Sequence, residues 1–184
     1  MNGYTKEGDL GSTNVFGGKM VSKSNLRIKL LGAIEELNAS IGMVVAKLDY
    51  GVVKEQVIRI QHELISIYLE LQNYSDYKNK SNYSITEKEI LDLEKEIDDL
   101  SEKKVKLPKN EILIPGGSEE GAILYLSYAI CRRVEREIVQ LTQVEKLNPF
   151  ILPYFNRLSH WLEEFAQEIN RMKNIRELKH KIKK

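Results

Sequence analysis

Apolar residues recur every three or four positions through most of this chain, and that spacing restricts the fold more than any other feature of the sequence. Side chains at such intervals fall on one face of an α-helix, where they can be buried together. In the first helix, which starts near residue 24, the apolar positions are Leu30, Ile34, Leu37, Ile41 and Val44. A second helix follows the break at residues 49–51. No alternating strand pattern of useful length is found.

Capping residues and proline mark the beginnings of three further helices. Thr86 and Glu89 form a capping box that opens a charged third helix. Ser118 caps a fourth helix, because a serine hydroxyl at this position accepts a hydrogen bond from a backbone N–H of the first turn. Asn148 and Pro149 start a fifth helix, with Asn as the cap and Pro at the first helical position. Five helices of these lengths predict an all-α bundle.

The composition fits one globular domain of 184 residues, with 42% hydrophobic and 30% charged residues. A formal net charge of +1 gives no overall attraction to nucleic acid or to membranes. The single cysteine, Cys131, excludes an internal disulfide, and no apolar run approaches the ~20 residues of a membrane span. Because the first residues, MNGYTKEGDL, lack the features of a secretory signal, we expect a cytoplasmic location.

We divide the domain into a glycine-rich loop at 1–23, a helical bundle at 24–170 and a basic tail at 171–184. Five of the eleven glycines fall in the first 18 residues, which favours turns over helix. The tail carries seven Lys and Arg residues against one acid, Glu177. We interpret the tail as a solvated, frayed helix end, and an arm for an anionic partner is the alternative.

The polar faces of the fourth and fifth helices hold the side chains that could carry chemistry. Arg132, Glu135 and Arg136 lie opposite the apolar face of the fourth helix, where Glu135 is spaced to orient either guanidinium. Arginine matches phosphate oxygens, so this face could clamp a polyphosphate. From these residues alone, a solvated face with an ordinary ion pair is the preferred interpretation. Asn156 and His160 share the polar face of the fifth helix. His160 could be a ligand or an acid–base group, but a surface or interface histidine is the preferred interpretation.

A glycine-rich loop precedes the first helix and reads TKEGDLGST from Thr5 to Thr13. Loops of this composition cradle phosphates with free backbone N–H groups, and a flexible N-terminus is the alternative. The loop lacks the G-x-x-x-x-G-K-[ST] pattern and follows no predicted strand, so no standard nucleotide fold applies. The histidines at 62, 160 and 180 are scattered along the chain, and no metal-binding set is visible.

Taken in order, several motifs of this chain resemble those of the ATP:cob(I)alamin adenosyltransferases of the propanediol-utilisation type. Each motif alone has little specificity, but the ordered set is specific and runs from about residue 4 to about residue 168. The resemblance implies a five-helix bundle in a ferritin-like arrangement, assembled as a homotrimer with active sites between subunits. The matching segments are TKEGDLGST, GAIEELNASIG, ILIPGGS, CRRVERE and NPFILPYFNRLS.

In that family cob(I)alamin attacks the 5′ carbon of ATP, triphosphate leaves, and adenosylcobalamin forms. The resemblance therefore implies ATP and cobalamin as substrates, with Mg²⁺ among the phosphates, and a protein that positions the reactants and stabilises the leaving group. It implies that Arg132 and Arg136 neutralise the triphosphate and that Glu135 orients them. Asn156 would contact the nucleotide. The residues implied to hold the phosphates are Thr5, Lys6, Gly8, Asp9, Gly11, Thr13 and Lys23.

Four positions depart from the usual family pattern. The family has Asp where this chain has Glu35 and Arg where it has Tyr128, and those two residues pair across the subunit boundary. His160 replaces a usual Asp near the active site. Ile112 stands where Phe is common, an aromatic residue that helps to displace the lower ligand of cob(II)alamin. The resemblance thus assigns Glu35 and Tyr128 to the subunit interface, and Ile112 and His160 to the cobalamin side.

Three functions remain compatible with the sequence. We favour an active adenosyltransferase over a non-catalytic ATP- or cobalamin-binding sensor or carrier of the same fold. A helical module whose basic tail binds nucleic acid is the third, and the phosphate-loop motifs argue against it. A cobalamin reductase and an adenosylcobalamin-dependent enzyme are further candidate partners, whereas membrane and nucleic-acid partners are not expected.

Overall fold

A computed structural model describes residues 6–15, 19–49, 51–73, 84–104 and 107–182, and within these residues the chain forms five helices and four short strands. The predicted five-helix bundle is confirmed. The helices are α1 Leu26–Lys47, α2 Val52–Gln72, α3 Glu87–Glu102, α4 Glu119–Thr142 and α5 Ile151–Met172. The strands are β1 Ser12–Val15, β2 Lys19–Ser22, β3 Glu111–Leu113 and β4 Lys179–Lys181.

The helices pack around one apolar core. α4 lies against both α1 and α5, α2 packs on α1, and α3 packs on α5. The apolar residues predicted for the face of α1 are all buried. On α5, Trp161 and Phe165 are also buried, and their rings stack with centroids 4.3 Å apart. No helix in the described ranges combines the length and the apolar character that crossing a bilayer requires.

The predicted caps are present at the beginnings of α3 and α4. Thr86 and Glu89 form a complete capping box at α3, and the backbone N–H of Gly121 donates to Ser118 Oγ at 3.0 Å. α5 starts two residues later than predicted. The Asn148 carboxamide oxygen accepts from the Phe150 N–H at 3.0 Å, so Asn148 holds a turn that leads into the helix.

The interpretation of the tail as a frayed helix end is wrong. α5 ends at Met172, the chain turns at Asn174 with φ of 53°, and β4 then pairs antiparallel with β3. Ile112 lies directly opposite His180 in this pairing. Three-residue strands are too short to show an alternating pattern, and the two partners are far apart in sequence. We call the β3–β4 pair the C-terminal ribbon.

Candidate functional site

The polar face of α4 carries both arginines that were predicted to bind phosphate. Arg132 is exposed, and its Nη1 donates to Tyr128 Oη at 2.8 Å while its guanidinium lies 5.5 Å from the Tyr128 ring centroid. The hydrogen bond to Tyr128 raises the pKa of Arg132, whose guanidinium group is charged at every physiological pH. Arg136 is also exposed and donates to the Arg132 carbonyl at 3.0 Å. Both guanidinium groups are accessible to an anion, and Tyr128 directs one of them.

Glu135 links α4 to α5 and also lies close enough to Arg132 for its charge to help raise the Arg132 pKa. Its Oε1 accepts a hydrogen bond from Asn156 Nδ2 at 2.9 Å. The Asn156 carbonyl oxygen accepts from Arg157 Nη1 at 2.6 Å, so hydrogen bonds fix both ends of the carboxamide. The spacing along α4 suggested an arginine partner because it describes only one helix, whereas the packing of α5 brings Asn156 to Glu135.

Two rows of polar side chains run side by side along α4 and α5. Helical spacing places the members of each row on one face, and the two helices are antiparallel neighbours. We call this surface the α4–α5 face. His160 lies on it and is exposed, between Asn156 and the C-terminal end of α5. The α4 row is Tyr125, Tyr128, Arg132 and Glu135, and the α5 row is Asn156, His160, Glu163, Gln167 and Asn170.

The N-terminal loop forms two consecutive turns before β1. The Asp9 N–H donates to the Lys6 carbonyl at 3.2 Å, and the Gly11 N–H donates to the Gly8 carbonyl at 3.3 Å. Gly11 has φ of +80°, which a residue with a side chain rarely adopts. The side chain of Lys23 lies so close to Gly8 that a Cβ there would be 2.9 Å from the Lys23 ammonium. A lysine charge is therefore held against the turns.

The remaining predicted positions lie on β1, on α1 and on the ribbon. Thr13 is in β1 and half-buried, whereas Thr5 lies outside the described residues. Glu35 is exposed on α1 next to Tyr68 of α2, whose pKa is raised by burial and by its hydrogen bond to Glu35. Ile112 is 52% exposed on β3. The structure thus brings Arg132, Arg136, Glu135, Asn156 and His160 together, and it places the loop, Glu35 and Ile112 on other elements.

Sequence reasoning missed three polar residues at the far end of the α4–α5 face, namely Tyr125, Asn170 and Glu177. Asn170 is 1% exposed at the end of α5, and hydrogen bonds connect it to the loop before α4 and to the tail. The one sequence feature that pointed to this cluster was Glu177, a single acid within a basic tail. The hydrogen-bond partners of Glu177 cannot be predicted from the local sequence because they lie on α4 and α5.

The structure defines the class of the protein as an all-α five-helix bundle. This bundle carries two exposed arginines on one face beside a fixed carboxamide. Comparison with known families gives the particular one. The model of the cobalamin adenosyltransferase family matches residues 3–168. The chain belongs to this family.

Individual relatives agree with the family match. A corrinoid adenosyltransferase of Bacillus subtilis is 34% identical over 176 residues, spanning 94% of this chain and 88% of the relative. A cobalamin adenosyltransferase of Cupriavidus metallidurans is 34% identical over 170 residues, spanning 91% and 87%. Among solved structures, a variant of the PduO-type ATP:corrinoid adenosyltransferase from Lactobacillus reuteri, complexed with cobalamin and ATP, superposes with a TM-score of 0.86 at 28% identity, covering 96% of this chain and 98% of that one. The resemblance and the fold predicted from the sequence are confirmed.

Proposed function

We propose that this protein is a corrinoid adenosyltransferase that transfers the 5′-deoxyadenosyl group of ATP to cob(I)alamin and releases triphosphate. The observation that carries the proposal is the pair of exposed guanidinium groups on α4, beside the fixed Asn156 carboxamide; Tyr128 directs the one that belongs to Arg132. The family match over residues 3–168 gives this geometry its substrates. A non-catalytic ATP- or cobalamin-binding protein is the alternative.

The chemistry is a displacement at carbon. An electron pair of cob(I)alamin forms the cobalt–carbon bond to C5′, the C5′–O bond breaks, and its electrons leave with the triphosphate. Negative charge therefore accumulates on the leaving oxygens. Arg132 and Arg136 supply permanent positive charge there, and because Tyr128 holds Arg132 in advance, little reorganisation is needed as the charge develops.

The other residues of the site position the nucleotide. Asn156 uses one N–H and its carbonyl oxygen within the protein, which leaves its second N–H and a carbonyl lone pair for ATP. Glu135 fixes that orientation. The turns of the N-terminal loop, with Lys6 and Lys23, would hold the phosphates. Mg²⁺ would be bound mainly through phosphate oxygens, because no three His, Cys, Asp or Glu side chains come together as ligands in the described part of the chain.

We propose further that the protein acts as a homotrimer in the cytoplasm, with its sites between subunits. Large apolar side chains exposed on α1, α2 and α4 fit burial against a second copy. Glu35 and Tyr128 would lie at that boundary. Examples of these apolar residues are Met43, Ile65, Leu69, Leu126 and Val139.

Restoring the usual family pair tests the boundary. Tyr128→Arg combined with Glu35→Asp should raise activity or trimer association beyond the product of the two single effects, because the opposite charges would face each other. Each single change serves as the control for the other. Trimer association is measured by analytical ultracentrifugation, and activity is measured as turnover. If the effects of the two substitutions on both quantities are strictly additive, the two residues do not contact each other.

An anaerobic spectroscopic assay tests the transferase itself. Purified protein is mixed with Mg-ATP and chemically reduced cob(I)alamin, and formation of adenosylcobalamin is followed in the visible spectrum. Arg132→Ala should slow turnover at least ~100-fold, as the loss of such charge stabilisation does. Arg59→Ala is the matched control, since Arg59 lies on α2 and pairs with Glu63 and with Glu96 of α3, none of which belongs to the α4–α5 face. Activity of Arg132→Ala within a few-fold of wild type would refute the assigned role.

A further inference from the structure

Asn170 is the most heavily bonded side chain at the end of α5 and joins three parts of the chain. Its carboxamide oxygen accepts from the Ser118 N–H at 2.8 Å and from Ser118 Oγ at 2.9 Å. Its Nδ2 donates to the Gly116 carbonyl and to Glu177 Oε1, both at 2.9 Å. One buried carboxamide thus ties α5 to the Pro-Gly-Gly-Ser turn, to the cap of α4 and to the tail.

Gly117 of that turn and Gly121 at the start of α4 make room for Asn170. Gly117 has φ of +101°, and a Cβ at Gly117 or at Gly121 would overlap the Asn170 carboxamide. The Pro-Gly-Gly-Ser motif therefore receives a side chain of the same protein. The packing of Asn170 explains why Gly117 carries no side chain, without a bound phosphate.

Glu177 extends the same connection to α4. Tyr125 Oη donates to Glu177 Oε1 at 2.7 Å, so one carboxylate oxygen accepts from both Tyr125 and Asn170. Burial, followed by this hydrogen bond, raises the pKa of Tyr125, so its hydroxyl stays a donor. We call Tyr125, Asn170 and Glu177 the tail clamp. It fixes the segment between α5 and β4, and so it fixes the C-terminal ribbon, whose β3 carries the exposed Ile112.

The tail clamp closes one end of the α4–α5 face. Asn170 ends the row that begins with Asn156, about 21 Å away at 1.5 Å per residue, and Tyr125 stands about 10 Å along α4 from Arg132. Arg132, Arg136 and Asn156, the residues proposed to bind ATP, lie toward the opposite end of the face. The part of the face between ATP and the clamp is then available to a second reactant.

We propose that Asn170 and Glu177 are positioning residues for the corrinoid, which they affect by holding the ribbon at the floor of the α4–α5 face. The inference rests on the proposed transfer to cob(I)alamin. Neither residue takes part in the displacement. Loss of the clamp frees the ribbon, and corrinoid binding weakens while the ATP end of the face is unchanged.

Steady-state kinetics with cob(I)alamin and ATP varied separately test this inference. Glu177→Ala should raise KM for cob(I)alamin about tenfold, equivalent to about 1.4 kcal/mol, and change KM for ATP less than about twofold. Glu177→Gln should keep KM for cob(I)alamin at the wild-type value, because the amide oxygen of the glutamine can accept the same two hydrogen bonds. Asn170→Ala should resemble Glu177→Ala if it folds.

Asn148→Ala is the matched control at the other end of α5. Asn148 is partly buried, as Glu177 is, and it bonds to the Ile85 carbonyl at 2.8 Å and to the Phe150 N–H at 3.0 Å. Asn148→Ala should have a lower Tm than wild type, and its KM for cob(I)alamin should not rise selectively over its KM for ATP. Three results would overturn the inference. In Glu177→Ala these are equal increases of both KM values, or a lower Tm with an unchanged KM for cob(I)alamin. The third is a KM for cob(I)alamin in Glu177→Gln that is as high as in Glu177→Ala.

The wild-type arm separates this inference from the proposed function. If the wild-type protein forms no adenosylcobalamin, the transferase proposal fails regardless of the clamp. The clamp is then tested by anaerobic calorimetric titration with cob(II)alamin. Binding about tenfold weaker in Glu177→Ala than in wild type supports it, and equal binding or no binding to either protein overturns it.

Discussion

Tyr128 should contribute to turnover through two separable contacts with Arg132. Its hydroxyl accepts a hydrogen bond at 2.8 Å, and its ring lies 5.5 Å from the guanidinium. Because Arg132 is exposed, water replaces part of what is lost, so the hydrogen bond and the ring contact each make a small contribution of similar size. Tyr128→Phe should therefore lower kcat about 2- to 5-fold, and Tyr128→Ala roughly 5- to 30-fold.

A double-mutant cycle with Arg132→Ala measures this dependence in single-turnover assays. If Tyr128 acts only by directing Arg132, Tyr128→Phe and Tyr128→Ala should have no further effect once Arg132 is absent. Persistence of the full Tyr128 effect in the Arg132→Ala background would refute the reasoning. So would a Tyr128→Phe variant as slow as Tyr128→Ala, since the ring contact would then contribute nothing.

Two further predictions concern stability. Gly121→Ala should lower the free energy of unfolding in urea by roughly 2–4 kcal/mol, because the new Cβ would overlap Asn170. At Gly32 a Cβ would meet nothing within 4 Å, so Gly32→Ala should raise the free energy of unfolding by about 0.5–1 kcal/mol. Equal effects of the two substitutions would contradict the packing of Gly121 against Asn170. Thr86→Ala should cost about 1 kcal/mol at pH 7. Although burial acts to raise the pKa of Glu89, hydrogen bonds from Thr86 lower it, so this stabilisation is present above the unfolded pKa and is lost as pH falls through the folded pKa. The difference in the free energy of unfolding between Thr86→Ala and wild type should become smaller in acid. A difference that stays constant down to about pH 3 would contradict the capping by Thr86 and Glu89.

The parts of the fold predicted from sequence are those set by local interactions. The apolar face of α1 and the cap at Ser118 depend on neighbours within a few residues, and both are present. The C-terminal ribbon depends on pairing between segments on either side of α4 and α5, and nothing in the short segment at Lys179–Lys181 indicates a strand.

The candidate site divides along the same physical line. Arg132 and Arg136 were predicted to share a face with Glu135, because helical spacing fixes the positions along one helix. The hydrogen bond between Glu135 and Asn156 could not be predicted, because only the packing of α5 brings the two side chains together. Asn170 gave no local signal for the same reason, since its hydrogen bonds run to the turn before α4 and to the tail.

The measurement that tests the central claim most directly is the stoichiometry of products in an anaerobic reaction of the protein with Mg-ATP and cob(I)alamin. Adenosylcobalamin is quantified from its visible spectrum, and the phosphate products are separated by ion-exchange chromatography. The displacement at C5′ predicts one triphosphate for each adenosylcobalamin, at a rate that falls at least ~100-fold in Arg132→Ala. ATP binding without adenosylcobalamin, or release of ADP and phosphate instead of triphosphate, would contradict the account.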